Sequence, residues 1–206
     1  MKKRTIIDIF IMILLLGLLI FLGTRDYDKK NEGKDRKRFD HDYSMVSKDN
    51  VFKYVSEEEF YDLLKDGNAI VFMGFKENEW SNYYAKMLND AAKETNLKEI
   101  YYYDFLADRE KKSVMYNKII DFLKDYLQKD DLGNVNLVAP SLLIIKDHVI
   151  TYYDNETAYT NANVTPKKYW SDVHMQLKTA KFINAFNNYL ADVEVEEVGG
   201  NNGGEE

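Results

Sequence analysis

The chain has 206 residues, 45% hydrophobic and 31% charged, which is enough apolar material for one ordinary domain with accessory segments and too much for a disordered polymer. It contains no cysteine and only three histidines, His41, His148 and His174, so disulfides, thiolate nucleophiles and cysteine-bound metals are excluded and a histidine-based metal site or triad is not expected. The net charge of −7 hides a split: residues 1–50 carry 11 Lys and Arg against 8 Asp and Glu, the remainder 17 against 27, and so acidic a domain is a poor match for nucleic acid.

After the basic stub Lys2-Lys3-Arg4, residues Ile6 to Gly23 form an apolar run of 18 with one charge, Asp8. With Thr5 and Thr24 it reaches the ~20 residues a helix needs to cross a bilayer. Residues 1–23 therefore read as an uncleaved transmembrane anchor. A cleaved signal peptide is the rival, but Leu22-Gly23-Thr24-Arg25 lacks a small-residue cleavage pattern. The basic stub favours a single-pass protein with its domain outside the cell membrane. The seven bases from Arg25 to Arg38 pull the other way under the positive-inside rule. Residues 24–50 are polar and aperiodic and read as a solvated juxtamembrane linker, the alternative being that Lys34 to Arg38 rest on anionic lipid. Residues 193–206, acidic and rich in Gly and Asn, read as a disordered tail.

Residues 51–192 are expected to fold as one domain. Alternation in Val51 to Val55 predicts a short strand. Ser56 to Glu59 forms a capping box, and Phe60, Leu63 and Leu64 give the next helix its stripe. Asp66-Gly67-Asn68 ends it, with Gly67 suited to a left-handed cap. Ala69 to Met73 is an apolar run, as in a strand covered on both faces. Trp80, Tyr83, Tyr84, Met87, Leu88 and Ala91 follow at helical spacing. Glu99 to Phe105 predicts a third strand. Arg109 to Gln128 predicts a helix with Tyr116, Ile119, Ile120, Leu123, Tyr126 and Leu127 on one side. Ser141 to Ile145 and Val149 to Tyr153 flank Lys146-Asp147-His148 as a hairpin. Thr165-Pro166 opens a last helix whose expected buried stripe is Trp170, Val173, Leu177, Ala180, Ile183, Phe186 and Leu190. The order implies an α/β fold: a mixed central sheet with parallel crossovers, an antiparallel edge and helices on both faces.

This order resembles the thioredoxin fold, and two stretches carry the resemblance. Ile70-Val-Phe-Met-Gly-Phe-Lys-Glu-Asn-Glu-Trp-Ser-Asn-Tyr-Tyr84 is similar to the strand, C-x-x-C and long helix of thioredoxins. Val138-Ala-Pro-Ser-Leu-Leu-Ile-Ile-Lys-Asp-His148 is similar to the family's cis-proline and terminal hairpin. Within that superfamily the chain resembles the thioredoxin-like proteins of Gram-positive bacteria related to bacteriocin transport accessory proteins, whose motif is G-x-x-x-C-P-x-C. Laid on Gly74, that motif puts its cysteines at Asn78 and Ser81 and its proline at Glu79. The resemblance covers residues 51–155 and implies a cis Ala139–Pro140 bond. It cannot carry over thiol–disulfide exchange, which needs an attacking thiolate and a resolving thiol.

The degenerate motif Asn78, Glu79, Trp80 and Ser81, with Ala139 and Pro140, is therefore the candidate binding site and not a catalytic one. Asn78 suits an N-cap, Glu79 a first helical turn, and Ser81 a local hydrogen bond. Trp80 either continues the core stripe or faces a partner. Cis geometry at Pro140 would leave nearby backbone groups free to pair with an extended segment. Asp104, Asp108 and Glu110 read as caps, His148 as an exposed turn residue and His174 as a solvated helix residue. The expectation is a bacterial, membrane-anchored, redox-inactive thioredoxin-like domain, not an enzyme, that binds a protein or peptide and uses no cofactor, metal or nucleic acid. Two alternatives stay open: a structural subunit of a membrane secretion or export complex, and an enzyme using non-thiol chemistry on the same scaffold.

Overall fold

Five strands form one mixed sheet, seen in a computed structural model that describes residues 31–129, 132–157 and 164–199. β1 (Phe52–Tyr54), β2 (Ala69–Gly74) and β3 (Ile100–Asp104) run parallel, with β3 between the other two. The hairpin of β4 (Ser141–Lys146) and β5 (Val149–Asp154) lies antiparallel on the far side of β2, so the order is β1-β3-β2-β4-β5. Because side chains alternate along a strand, β2 sends Ile70 and Phe72 to one face and Val71 and Met73 to the other, and β4 divides Leu142 and Ile144 from Leu143 and Ile145. All eight are buried, so helices must cover both faces.

The first face is covered by α3 (Glu79–Glu94) and α7 (Asp172–Gly199), through Tyr84, Leu88, Phe182 and Phe186 among others. The second is covered by α2 (Glu57–Asp66) and α5 (Val114–Leu123), through Phe60, Leu64, Ile119 and Leu123. The capping box at Ser56 and Glu59 forms with both hydrogen bonds. The hairpin turns on Asp147 and His148, both at positive φ, where Asp147 N–H donates to Asn68 Oδ1 (2.7 Å) and His148 Nδ1 meets the Lys65 carbonyl (2.6 Å).

The largest departure from expectation is upstream. Residues 31–42, expected within a solvated linker, form a helix, α1. Phe39, Tyr43 and Val46, spaced i, i+4, i+7, are buried on the first face of the sheet. The Phe39 ring stacks on Phe52 at 3.9 Å between centroids and meets Tyr102 edge-on at 5.0 Å. Three apolar residues on one stripe bind the segment, while most of its charges stay on the outside. The two β1 amides that face away from β3 are also closed from this side: Tyr54 N–H donates to Asp35 (3.2 Å) and Phe52 N–H to Asn50 (3.2 Å), which removes an open sheet edge.

Other expectations shift locally. The helix expected over 109–128 is two helices, α4 (Leu106–Lys111) and α5, separated by left-handed Lys112 and restarted by Ser113, whose hydroxyl accepts from Tyr116 N–H (2.9 Å). The last helix is also divided. Thr165 caps α6 (Pro166–Tyr169) as expected, the backbone breaks at Trp170, and α7 starts afresh. The restart rotates the buried stripe: Trp170 and Phe186 are buried, but Val173 and Leu177 are 67% and 61% exposed, and Lys178 takes the inward place at 2%. Gly67 is extended, not left-handed. A Cβ there would stand 2.6 Å from the Leu63 carbonyl oxygen, so close approach is what demands glycine. α7 continues to Gly199, through the first part of the expected tail; residues 200–206 lie outside the described residues. The expected anchor, residues 1–23, also lies outside them, and among the described residues no helix is long and apolar enough to cross a membrane.

Candidate functional site

The loop after β2 and the loop before β4 meet at one end of the sheet because those two strands are antiparallel neighbours, with Met73 opposite Ser141. Asn78 ends the first loop as the N-cap of α3, its Oδ1 accepting from Ser81 N–H at 3.1 Å. Its Nδ2 donates across to the carbonyl of Ala139 at 3.2 Å, and the Ala139–Pro140 peptide is cis. One side-chain amide thus starts a helix and clasps the proline loop. The backbone around Pro140 is correspondingly committed: Val138 C=O accepts from Ser141 Oγ (2.6 Å) and Ala139 C=O from Asn78. That differs from the expectation of backbone groups left free for an extended partner.

The six candidate residues divide by exposure. Ser81 is fully buried, and its hydroxyl has no hydrogen-bond partner among the described residues. It lies against Gly74, where an added Cβ would fall 2.9 Å from Ser81 Oγ, so two small residues let α3 begin flush on the end of β2. Ala139 and Pro140 are also buried. Glu79 is exposed, while Trp80 is partly buried, packed against the core of the first face with one edge open, so Glu79 and that edge are what the loop pair presents outward. The Trp80 ring meets Tyr169 edge-on at 5.5 Å, which begins an aromatic ridge toward α7. None of the four motif residues offers an accessible nucleophile. The arrangement can hold a side chain or a surface against an indole and a carboxylate.

Below the loops, a chain of hydroxyls runs from α1 into the site: Tyr43 and Tyr102 hydroxyls pair at 2.7 Å, and the latter donates to Gly74 C=O at 3.3 Å. Residues following α1 also grip the start of α3, with Met45 N–H donating to Asn82 Oδ1 (3.2 Å) and Asn82 Nδ2 to Ser44 Oγ (3.1 Å). Asp104, opposite Gly74 in register, accepts from Leu106 N–H at 3.2 Å, but it is not the cap expected of it: Phe105 stands at the N-cap of α4, which has no side-chain cap. Burial, with Glu77 and Asp42 nearby, lifts its carboxyl above the usual range. Asp108 instead accepts from the Tyr103 hydroxyl at 3.1 Å.

A second cluster escaped sequence reasoning. Lys178 Nζ donates to Asp154 (2.5 Å), the last residue of β5, and to Glu156 (2.8 Å), just past it. Tyr84 donates to Asp154, and Tyr169 to Glu156 at 2.9 Å. His174, expected to be solvated, instead sets Nε2 3.1 Å from Glu156 and Nδ1 3.0 Å from the Tyr169 carbonyl. Burial acts to raise the Glu156 carboxyl, but hydrogen bonds from Lys178, Tyr169 and His174 prevail and hold it down at about 2. The Lys178 ammonium also lies 5.3 Å from the Phe182 ring and 5.8 Å from that of Tyr84. This closed network ties α7 to the end of β5. The only signal in the sequence is a lysine four residues before Phe182 on a helix, facing a strand that ends in Asp154. Among the described residues no group of three or more His, Asp or Glu is placed to hold a metal ion. Neither a family model, nor a curated protein, nor a solved structure matches the chain.

Proposed function

We propose that this chain is a membrane-anchored, cysteine-free thioredoxin-like protein that binds a protein or peptide at the bacterial cell surface. The strand order β1-β3-β2-β4-β5 and the cis bond before Pro140 support the thioredoxin-like relationship. With no cysteine anywhere in the chain, thiol–disulfide exchange is unavailable to it. The observation that carries the binding reading is the Asn78 clasp. Its amide bridges the two loops where the related motif would hold a thiol, leaving a rigid platform that displays Glu79 and Trp80. A partially exposed tryptophan on a fixed base is a typical anchor for protein contact.

A second reading, a structural subunit contacted across its helices, is favoured by Val173 and Leu177, two largely exposed apolar residues one turn apart on α7. A photoreactive amino acid placed in cells at Glu79, Val173 or Asp121 separates the two. The binding-loop reading predicts a discrete adduct from position 79 that Trp80→Ala abolishes, with none from 121. Adducts from 173 alone would replace it with the second reading, and none from 79 or 173 would contradict both.

A further inference from the structure

We propose that the outward face of α1 docks on anionic phospholipid and holds the domain close against the bilayer, a proposal that rests on the reading of residues 6–23 as an anchor. The helix sorts its charges by side. Asp35 turns inward to the Tyr54 amide at 3.2 Å. Asp42, 12% exposed at its side chain, accepts from the Tyr54 hydroxyl at 2.9 Å and lies near Lys76 and Arg38. Lys34, Lys37 and Arg38, spaced i, i+3, i+4, are exposed on the outer face. Arg38 stacks over Tyr54 (3.9 Å to the ring centroid) yet keeps 60% of its side chain in solvent, and Lys34 and Lys37 have no ion-pair partner among the described residues. Two acids flank that face: Glu32 at its start, paired with Arg36 at 3.9 Å, and the half-buried Asp40, three residues after Lys37.

This basic face belongs to a chain whose residues 51–206 hold 17 Lys and Arg against 27 Asp and Glu, so its sign is opposite to that of the domain behind it. Its position also restricts the partner. Only residues 24–30 separate the apolar run from the first described residue of α1, and seven residues reach at most about 25 Å. Because α1 is packed into the core through Phe39 and Tyr43, it cannot pay out further chain without unfolding. A helix so tethered presents its bases within reach of the headgroups, where a negative surface attracts them over roughly a Debye length of 8–10 Å. The same docking would fix the orientation of the Asn78 loops, because Met45 and Ser44 hold the first turn of α3.

The absence of native cysteine makes the test direct. Gly33→Cys, where an added side chain meets nothing within 4 Å, carries a fluorophore beside the basic face; Asp121→Cys carries it on α5, across the sheet. The full chain is reconstituted into vesicles of phosphatidylcholine alone or with about 30% phosphatidylglycerol, each containing a headgroup-nitroxide lipid. The expected result is quenching at position 33 about threefold stronger with the anionic lipid, abolished by Lys34→Gln with Lys37→Gln and by about 0.5 M NaCl, and none at position 121. Equal quenching in both vesicles, or quenching indifferent to the lysine pair, overturns the proposal. Extraction with alkaline carbonate tests the anchor separately. A chain that washes off after showing charge-dependent quenching refutes the anchor and keeps the lipid-docking face; a chain that stays embedded without it does the reverse.

Discussion

Helices α1 and α7 cover the same face of the sheet by different chemistry. α1 contributes rings: Phe39 stacks on Phe52 and Tyr43, and apart from Asp35, which meets the Tyr54 amide, the charges of the helix remain outside or pair at its margins. α7 contributes Phe182 and Phe186 but also a buried ammonium, Lys178, held by Asp154 and Glu156. The first attachment is apolar and should respond to volume. The second couples packing to charge, so it should respond to pH and to the loss of either sign. Two helices that look equivalent in the fold therefore fail in different ways.

The largest expected effect is at α1. Phe39→Ala should cost about 3–5 kcal/mol in denaturant unfolding of the full chain, as large aromatic deletions in cores do; a change within about 0.5 kcal/mol would return the segment to a solvated tether. Lys178→Met should cost about 3 kcal/mol, because it leaves two carboxylates facing each other without their cation. Adding Glu156→Gln to that variant should recover part of the loss. A neutral Lys178→Met would show that α7 is held by its rings alone. Asn78→Ala should cost about 1 kcal/mol as a lost N-cap and should raise amide exchange in the proline loop, where the clasp is cut.

The pH dependence sharpens the contrast further. Glu156 ordinarily titrates at 4.5 but is held at about 2 in the folded chain. Its contribution is therefore present above pH 4.5 and lost as pH falls from there toward 2. Acid titration of stability should show that loss, Glu156→Gln should flatten it, and Phe39→Ala should leave its slope unchanged. The smallest effect is reserved for the outer side of α7: Leu177→Ser should stay within about 0.5 kcal/mol although the residue is apolar and regularly spaced.

Much of the sheet was legible because alternation and unbroken apolar runs are local signals. β2, β4 and the hairpin fall where the pattern puts them, and Ser56, Asn78 and Thr165 cap the helices they precede. Misreadings arose where a short stripe or a phase break decides the outcome. In residues 31–50 the three apolar positions that become buried, Phe39, Tyr43 and Val46, are diluted by charge, and what fixes them is the uncovered sheet end near Phe52, which no local window contains. In the last helix the periodic set was real, but Trp170 breaks the backbone and Ser171-Asp172 restarts it, so Leu177 points out and Lys178 in. At the site, the pairing of Asn78 with Ala139 was foreshadowed only by two separate motifs. Their hydrogen bond spans 61 positions and follows from the antiparallel register of β2 and β4.

That α1 is an integral part of the folded unit underlies both the support of the Asn78 loops and the proposed docking on lipid. Amide hydrogen exchange on the full chain in detergent micelles tests it most directly at Tyr43, whose N–H donates to the Phe39 carbonyl at 2.8 Å, and at Val46, whose N–H donates to the Tyr43 carbonyl at 3.0 Å. The structure predicts protection at both sites comparable to that of the β2 amides. Exchange at the rate of an unstructured chain, with β2 still protected, would contradict it.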